Sequence, residues 1–378
     1  MLISDELIIK KSIKILLFVL SIIIFLGLLM VYSASYLHSI ETHGNSSYFF
    51  IKQLIFVFFG LIVMFITYKS KISFWVNYIE YIILFFTILL LMTFLPVIGI
   101  KIKGAHRWIN LFFISFQPAE LFKYFIIIYC AKFFSNFATL KKNIKYYILL
   151  FLPLFLLAVQ PDFGSLVICS VAIVLVAYLS NLEKKVFYSS ISVGLLSLIV
   201  ILISKPYRIK RLMAYIDPWA NEQGSGFQVI QSFLAFAGGG FFGRGLGNSH
   251  EKLFYLPEAH NDFIFSVLGE ELGFVGVFST ILLFIILFYY GFKISTKLQV
   301  TVNKVIVTSI VFTITLQVLL NISVVLGLLP TKGLALPFIS AGGSSILSNF
   351  FAVGIILSSV KNEISYIFKG NENIDENN

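Results

Sequence analysis

The chain has 378 residues, of which 58% are apolar and only 12% charged, against about 25% charged in an ordinary soluble domain. Mean hydropathy is +0.94, and a soluble or disordered chain of this composition, with 42 phenylalanines, is excluded. The net charge of +10 does not indicate a nucleic-acid binder, because the basic residues punctuate apolar runs and form no stripe.

A spanning helix needs about 20 mostly apolar residues. Charge-free runs fall at 15–40, 53–68, 81–100, 146–161, 163–182, 186–204, 272–292, 305–331 and 333–360. A further apolar segment, 118–134, carries Glu120 and Lys123 near its start. The reading is an all-α polytopic membrane protein with ten transmembrane helices. The first run has 26 uncharged residues, too long for the apolar region of a cleavable signal peptide, about 7–15 residues. With the N-terminus placed inside, every inside loop carries lysine. Both termini are then expected to be cytoplasmic. Residues 1–369 read as one integral-membrane domain, and the acidic, Asn-rich tail 370–378 as a disordered end. Cys130 and Cys169 lie in apolar runs and read as reduced packing residues, not a disulfide framework.

One connection is long. Residues 205–262, between helices 7 and 8, fall on the outer side. Phe227, Ile230, Phe233, Leu234 and Phe236 recur there at helical spacing and predict a short amphipathic helix at the membrane face. A turn region with six glycines between Gly238 and Gly247 follows.

Ionisable residues at membrane depth mark functional sites by default. Four clusters stand out, all toward the outer side. The first is Gly104-Ala105-His106-Arg107-Trp108-Ile109-Asn110 with Gln117 to Lys123. Glu120 and Lys123 are three apart on one helix and can touch, so a self-neutralising ion pair is the plain alternative to a site. The second is Gln160 to Ser165, where Asp162 suits a helix cap as well as chemistry. The third is the long loop, with Arg208 and Lys210, the glycines around Arg244, and Leu256 to Phe265. Cations beside a Gly-rich backbone suit a phosphate; a solvated patch or lipid-headgroup contact fits equally. Asp262 stands at the start of the eighth helix, a cap or a catalytic group. His260 has no His or Cys partner at zinc-ligand spacing. The fourth runs from Gly327 to Ser345, with two prolines, the lone Lys332 and a small-residue run around Ser344 that suits close packing.

GAHRWIN and QPAELFK, QPDFGS, LPEAHNDFIF and GLLPTKGLALPFISAGGSS occur in this order. In that combination the chain resembles the FtsW/RodA (SEDS) family from its first helix to about Lys361. GLLPTKG and PEAHNDF resemble the FtsW branch more than RodA. Ala341 departs from the family, where many relatives carry Tyr, and His106 stands where a small residue is frequent.

The resemblance implies a peptidoglycan glycosyltransferase that polymerises lipid II during septal cell-wall synthesis in the bacterial cytoplasmic membrane. Asp262 matches the family's essential loop aspartate. Arg107, Glu120 and Lys123 match its other polar cavity residues; Arg208 and Lys210 match more loosely. Glu258, Lys332 and Ser344 complete the expected substrate contacts. Asp262 would be the base, and arginine and lysine, alone or with a divalent cation (Mg2+ or Mn2+), would stabilise the leaving pyrophosphate. A class B penicillin-binding protein and other division proteins are the implied partners. The rival readings are a lipid II flippase, a non-catalytic scaffold and a RodA-type elongation polymerase.

Overall fold

The computed structural model describes residues 3–102, 105–111, 114–189, 191–192, 194, 215–222, 224, 226–252, 257 and 259–375. Helices dominate: α1 (Ile3–His43), α2 (Tyr48–Lys69), α3 (Ile72–Met92), α4 (Pro118–Ser135), the single turn α5 (Phe137–Leu140), α6 (Ile144–Val159), α7 (Phe163–Leu179), α8 (Phe227–Gly239), α9 (Ile264–Lys297), α10 (Thr301–Val325) and α11 (Gly343–Asp375). Among the described residues six helices are long and apolar enough to cross a membrane: Asp5–His43, Tyr48–Lys69, Ile72–Met92, Ile264–Lys297, Thr301–Val325 and Gly343–Glu363. Residues 184–189 are helical; most of the rest of the expected span 186–204 lies outside the described residues. Phe58, Phe59, Phe65 and Ile66 of α2 are exposed. Such a surface suits lipid and not water.

At the centre stands α4, with Phe122 to Ala131 buried without interruption. Its charges are the reason it departs from a simple spanning pattern, and they are paired. Lys123 Nζ lies 2.7 Å from Glu120, and Lys132 Nζ lies 3.1 Å from Glu80 of α3.

The all-α expectation needs one correction. The run 81–100 is not one helix: α3 ends at Met92 and a three-stranded antiparallel sheet follows, β1 (Gly99–Ile102), β2 (Ala105–Leu111) and β3 (Ile114–Phe116). Pro96 has no N–H and disfavours a helical residue before it. The following Ile-rich stretch pairs instead, with Ile100 opposite Trp108 and Asn110 opposite Ser115.

The C-terminal runs are also shorter than charge counting suggests. Helix α10 stops at Val325, where Gly327 adopts a φ of 68°. Leu328 N bonds to Ser323 O and Gly327 N to Val324 O, the two bonds of a glycine-closed helix end. The next helix starts only at Gly343. Pro330, Gly333 and Pro337 keep the intervening segment irregular.

The amphipathic helix of the long connection is present as α8. The glycines after it close a break in α9, where Gly273 has φ 67° and ψ −163°. A Cβ on Gly273 would lie 2.2 Å from Gly243 N, and one on Gly243 would lie 2.2 Å from Glu271 O. That approach lets Arg244 N and Gly245 N donate to the carbonyls of Glu270 and Glu271, while Phe274 N and Val275 N donate to those of Gly240 and Phe241. Backbone groups freed by the break are thereby satisfied.

Candidate active site

A cavity of about 720 Å³ opens where the sheet, α2, α4, the turn before α9 and the 331–345 segment meet. That volume lies in the range of small-molecule sites, about 300–1,000 Å³. Three cationic side chains line it, Lys52, Arg107 and Lys332, together with two carboxylates, Glu120 and Asp262. Ser344 and Trp108 also face it.

Each group is set by a different element. β2 delivers Arg107, whose guanidinium donates to the carbonyl of Pro161. Its buried Nε has no partner within the protein, and a buried donor of that kind is costly until something fills it. Lys332 Nζ sits 4.2 Å from the centre of the Phe163 ring, a cation–π distance. Ser344 Oγ accepts from Gln117 N at 2.9 Å, tying the start of α4 to that of α11.

Asp262 is half-buried in the turn that leads into α9. The N-cap position of that helix belongs to Phe263, and no side chain caps it. Helix α9 thus begins at Ile264, two residues after Asp262, and not at Asp262 itself. The turn is held by the 331–342 segment: Ser340 Oγ donates to Asn261 O at 2.7 Å, and Ala341 N to His260 O at 3.0 Å. A Cβ on Gly333 would lie 2.9 Å from Asp262 Oδ2, so the carboxylate rests against this glycine.

Lys123 is buried to 2% and stands behind the wall. It bonds Glu120 at 2.7 Å and Gln317 Oε1 at 2.6 Å. Its reach to a ligand runs through Glu120. Asp162 serves as the expected cap of α7: it accepts from Ser165 N at 3.3 Å, Ser165 Oγ at 2.9 Å and Gln117 Nε2 at 3.1 Å. Arg208, Lys210 and Glu258 lie outside the described residues.

Three amides that sequence reasoning passed over hold the site together. Gln53 of α2 donates to Ser340 O at 3.0 Å and accepts from Gly342 N at 3.2 Å. Gln317 and Asn321 of α10 bind the carbonyls of Ala335 and Leu334. Each is a polar residue in an apolar helix, which is the signal that could have found it. Of the glycines around Arg244, Gly239 and Gly243 pack against α9 beside its break, and Arg244 lies 3.3 Å from Glu270.

A family model described as "Cell cycle protein" (FTSW_RODA_SPOVE) matches residues 13–365. The chain is 40% identical over 340 residues to "Probable peptidoglycan glycosyltransferase FtsW" of Coxiella burnetii, covering 88% of this chain and 91% of the relative. It is 35% identical over 358 residues to "Stage V sporulation protein E" of Bacillus subtilis, covering 92% and 97%. A solved structure described as "Structural coordination of polymerization and crosslinking by a peptidoglycan synthase complex" superposes with a TM-score of 0.73 at 26% identity, over 92% of this chain and 97% of that one. Rod shape determining protein RodA of Thermus thermophilus superposes with a TM-score of 0.67 at 23% identity, over 92% and 96%, a likeness of fold.

Proposed function

The chain belongs to the FtsW/RodA/SpoVE family, and on that premise we propose that it is a peptidoglycan glycosyltransferase that polymerises lipid II. The observation that carries the reading is that Asp262, Arg107, Lys332 and Lys52 line one cavity. A carboxylate among cations suits a reaction in which a hydroxyl loses a proton while a phosphorylated group departs.

The acceptor 4-hydroxyl of a lipid II disaccharide attacks the anomeric carbon of the growing glycan. Asp262 takes the hydroxyl proton as the new C–O bond forms. The anomeric C–O bond to pyrophosphate breaks, and undecaprenyl pyrophosphate leaves with the electron pair. Attack opposite the leaving group turns the α-linked donor into a β-1,4 linkage. Arg107, Lys332 and Lys52 offset the charge that builds on the leaving group. The Glu120–Lys123 pair shapes the wall between α4 and α10.

Among the described residues no three His, Cys, Asp or Glu side chains converge, and Glu120 is committed to Lys123.

We place this chemistry on the outer face, with ten spans, both termini cytoplasmic and 205–262 outside; the lysines of the inside loops support this orientation. A division role in septal wall synthesis is supported by relatives that carry the FtsW name. A class B penicillin-binding protein is the proposed partner. The likeness to a peptidoglycan synthase complex that coordinates polymerization and crosslinking supports it.

The test is purified protein, with and without that transpeptidase, on labelled lipid II. Wild type should yield glycan strands. Asp262→Asn keeps size and lacks the basic oxygen, so turnover should fall about 10²–10⁴-fold with normal expression. Translocation of lipid II without polymerisation would instead identify a flippase. An Asp262→Asn variant within a few-fold of wild type would remove Asp262 from the base role.

A further inference from the structure

Asn321 lies one helical turn beyond Gln317 on α10 and is 1% exposed. Its Nδ2 donates to two backbone carbonyls, that of Asp262 at 2.8 Å and that of Leu334 at 2.6 Å. Both amide protons are thereby used. The amide orientation follows, because the reverse placement would set Oδ1 against two carbonyl oxygens. Oδ1 itself is buried without a partner. A buried acceptor left open is disfavoured, so the position is occupied by asparagine for its two donors.

The two carbonyls belong to segments far apart in sequence, the turn into α9 and the irregular stretch after α10. Leu334 follows Gly333, the residue against which the Asp262 carboxylate rests. One side chain thus fixes the spacing between the backbone of Asp262 and the Lys332-Gly333 strip facing it. Gln317 repeats the device one turn away, donating to Ala335 O at 2.9 Å while accepting from Lys123. One face of α10 therefore frames both carboxylates of the cavity.

We propose that Asn321 is a positioning residue for Asp262: by holding the carbonyl oxygens of Asp262 and Leu334 together, its amide sets where the carboxylate stands in the cavity, without touching substrate. The inference rests on the reading of Asp262 as the base. Displacement of a reacting group by about 1 Å can cost roughly 10²-fold in rate. Two of the three cations that would grip the pyrophosphate, Arg107 on β2 and Lys52 on α2, are anchored away from Asn321, so headgroup binding depends little on it.

The experiment measures lipid II polymerisation per folded, monodisperse enzyme molecule for Asn321→Ala and Asn321→Gln. Asn321→Ala should lower kcat about 10–100-fold with KM for lipid II essentially unchanged. The acid limb of its pH profile of kcat/KM should move, because the surroundings of the carboxylate change. Asn321→Gln retains the donor pair on a longer stem and should recover part of the turnover; it carries the test if the alanine variant does not fold. In an Asp262→Asn background, Asn321→Ala should add no further loss. A merely structural residue would lower the yield of folded protein and leave kcat, KM and the acid limb of the folded fraction at wild-type values, and that result overturns the proposal. An inactive Asp262→Asn beside a fully active Asn321→Ala overturns positioning alone. A fully active Asp262→Asn overturns the base reading and this one with it.

Discussion

Two buried charge clusters, one against α1 and one against α2, are built from the same residue types and have opposite characters. In the first, Glu270 and Glu271 are at most 1% exposed. Glu270 accepts from Ser249 Oγ and His250 N and pairs with Arg244. Glu271 accepts from Lys252 Nζ at 2.8 Å and from Ser33 Oγ at 2.6 Å. A cavity of about 850 Å³ opens above this cluster, lined by Ser33, Arg244 and Lys252 but by neither carboxylate. In the second, Glu120 and Asp262 are themselves part of the cavity wall. Burial of charge alone therefore does not identify a site. Where the carboxylates lie behind the cavity wall, the charges lock a helix break; where they line the cavity itself, as Glu120 and Asp262 do, a ligand can reach them.

The most severe way to break this comparison is to remove one lysine from each cluster. Lys252→Met leaves Glu271 buried without its cation, and breaking such a pair costs about 3–5 kcal/mol. Thermal melting in detergent should show a large loss of stability and of folded yield. Lys332→Met removes a cation that stands over the Phe163 ring at the cavity, a contact worth about 0.5–1 kcal/mol of stability, and should weaken lipid II binding. If Lys332→Met unfolds the protein and Lys252→Met spares it, the two clusters have been assigned the wrong way round.

Next in size is Arg107→Ala. A hydrogen bond to a charged group is worth about 1.5–3 kcal/mol, so lipid II affinity should fall roughly 10–100-fold with melting temperature little changed. Arg107→Lys should not restore it fully, because lysine lacks the planar fork. Equilibrium binding of labelled lipid II reads the difference; unchanged affinity in Arg107→Ala would exclude a headgroup contact. A smaller effect is expected at Gly333. A Cβ there would stand 2.9 Å from Asp262 Oδ2, closer than side chains tolerate. Gly333→Ala should lower kcat several-fold by pushing the carboxylate aside, about 1–1.5 kcal/mol of barrier, and spare KM. A raised KM with kcat intact would place the crowding at the substrate instead.

The spans were legible where apolar runs are long and uncharged, as in α1, α2 and α10. Their ends were less so. Counting charges ran helix 3 through Pro96 and helix 10 back to Gly333, because it ignores backbone breakers. The ion pair of Glu120 with Lys123 and the cap at Asp162 could be read from spacing, since both are local. Asp262 was found through the family motif; its spacing alone left cap and base open. Asn321 and Gln317 were not found, because their work depends on carbonyls of a segment whose path only the fold defines. Glu270 and Glu271 were passed over for a related reason. They sit just before an uncharged run; the cations that pair with them, Arg244 and Lys252, come from a loop some 20 residues upstream, and α1 adds the Ser33 hydroxyl.

The smallest expected effect tests the edge of the closed cluster. Glu251, in the connection before α9, has its carboxyl pKa raised from the ordinary value, first by burial and then by the charge of Glu270, with Arg244 opposing. Its Oε2 is buried without a hydrogen-bond partner. The folded state thus binds this proton more tightly than the unfolded chain does. Linkage then gives the sign: the group's contribution is most favourable below the ordinary glutamate pKa, and it is lost as pH rises through the raised folded value. At neutral pH the ionised form is a weak liability. Glu251→Gln keeps the shape and removes the titration, so it should raise the melting temperature slightly at neutral pH and flatten the pH dependence over that acidic window. Melting curves of wild type and variant from acid to neutral pH decide it. A variant that is less stable at neutral pH would mean that the ionised carboxylate is paired after all, and the cluster would then close one residue further out than Glu270 and Glu271.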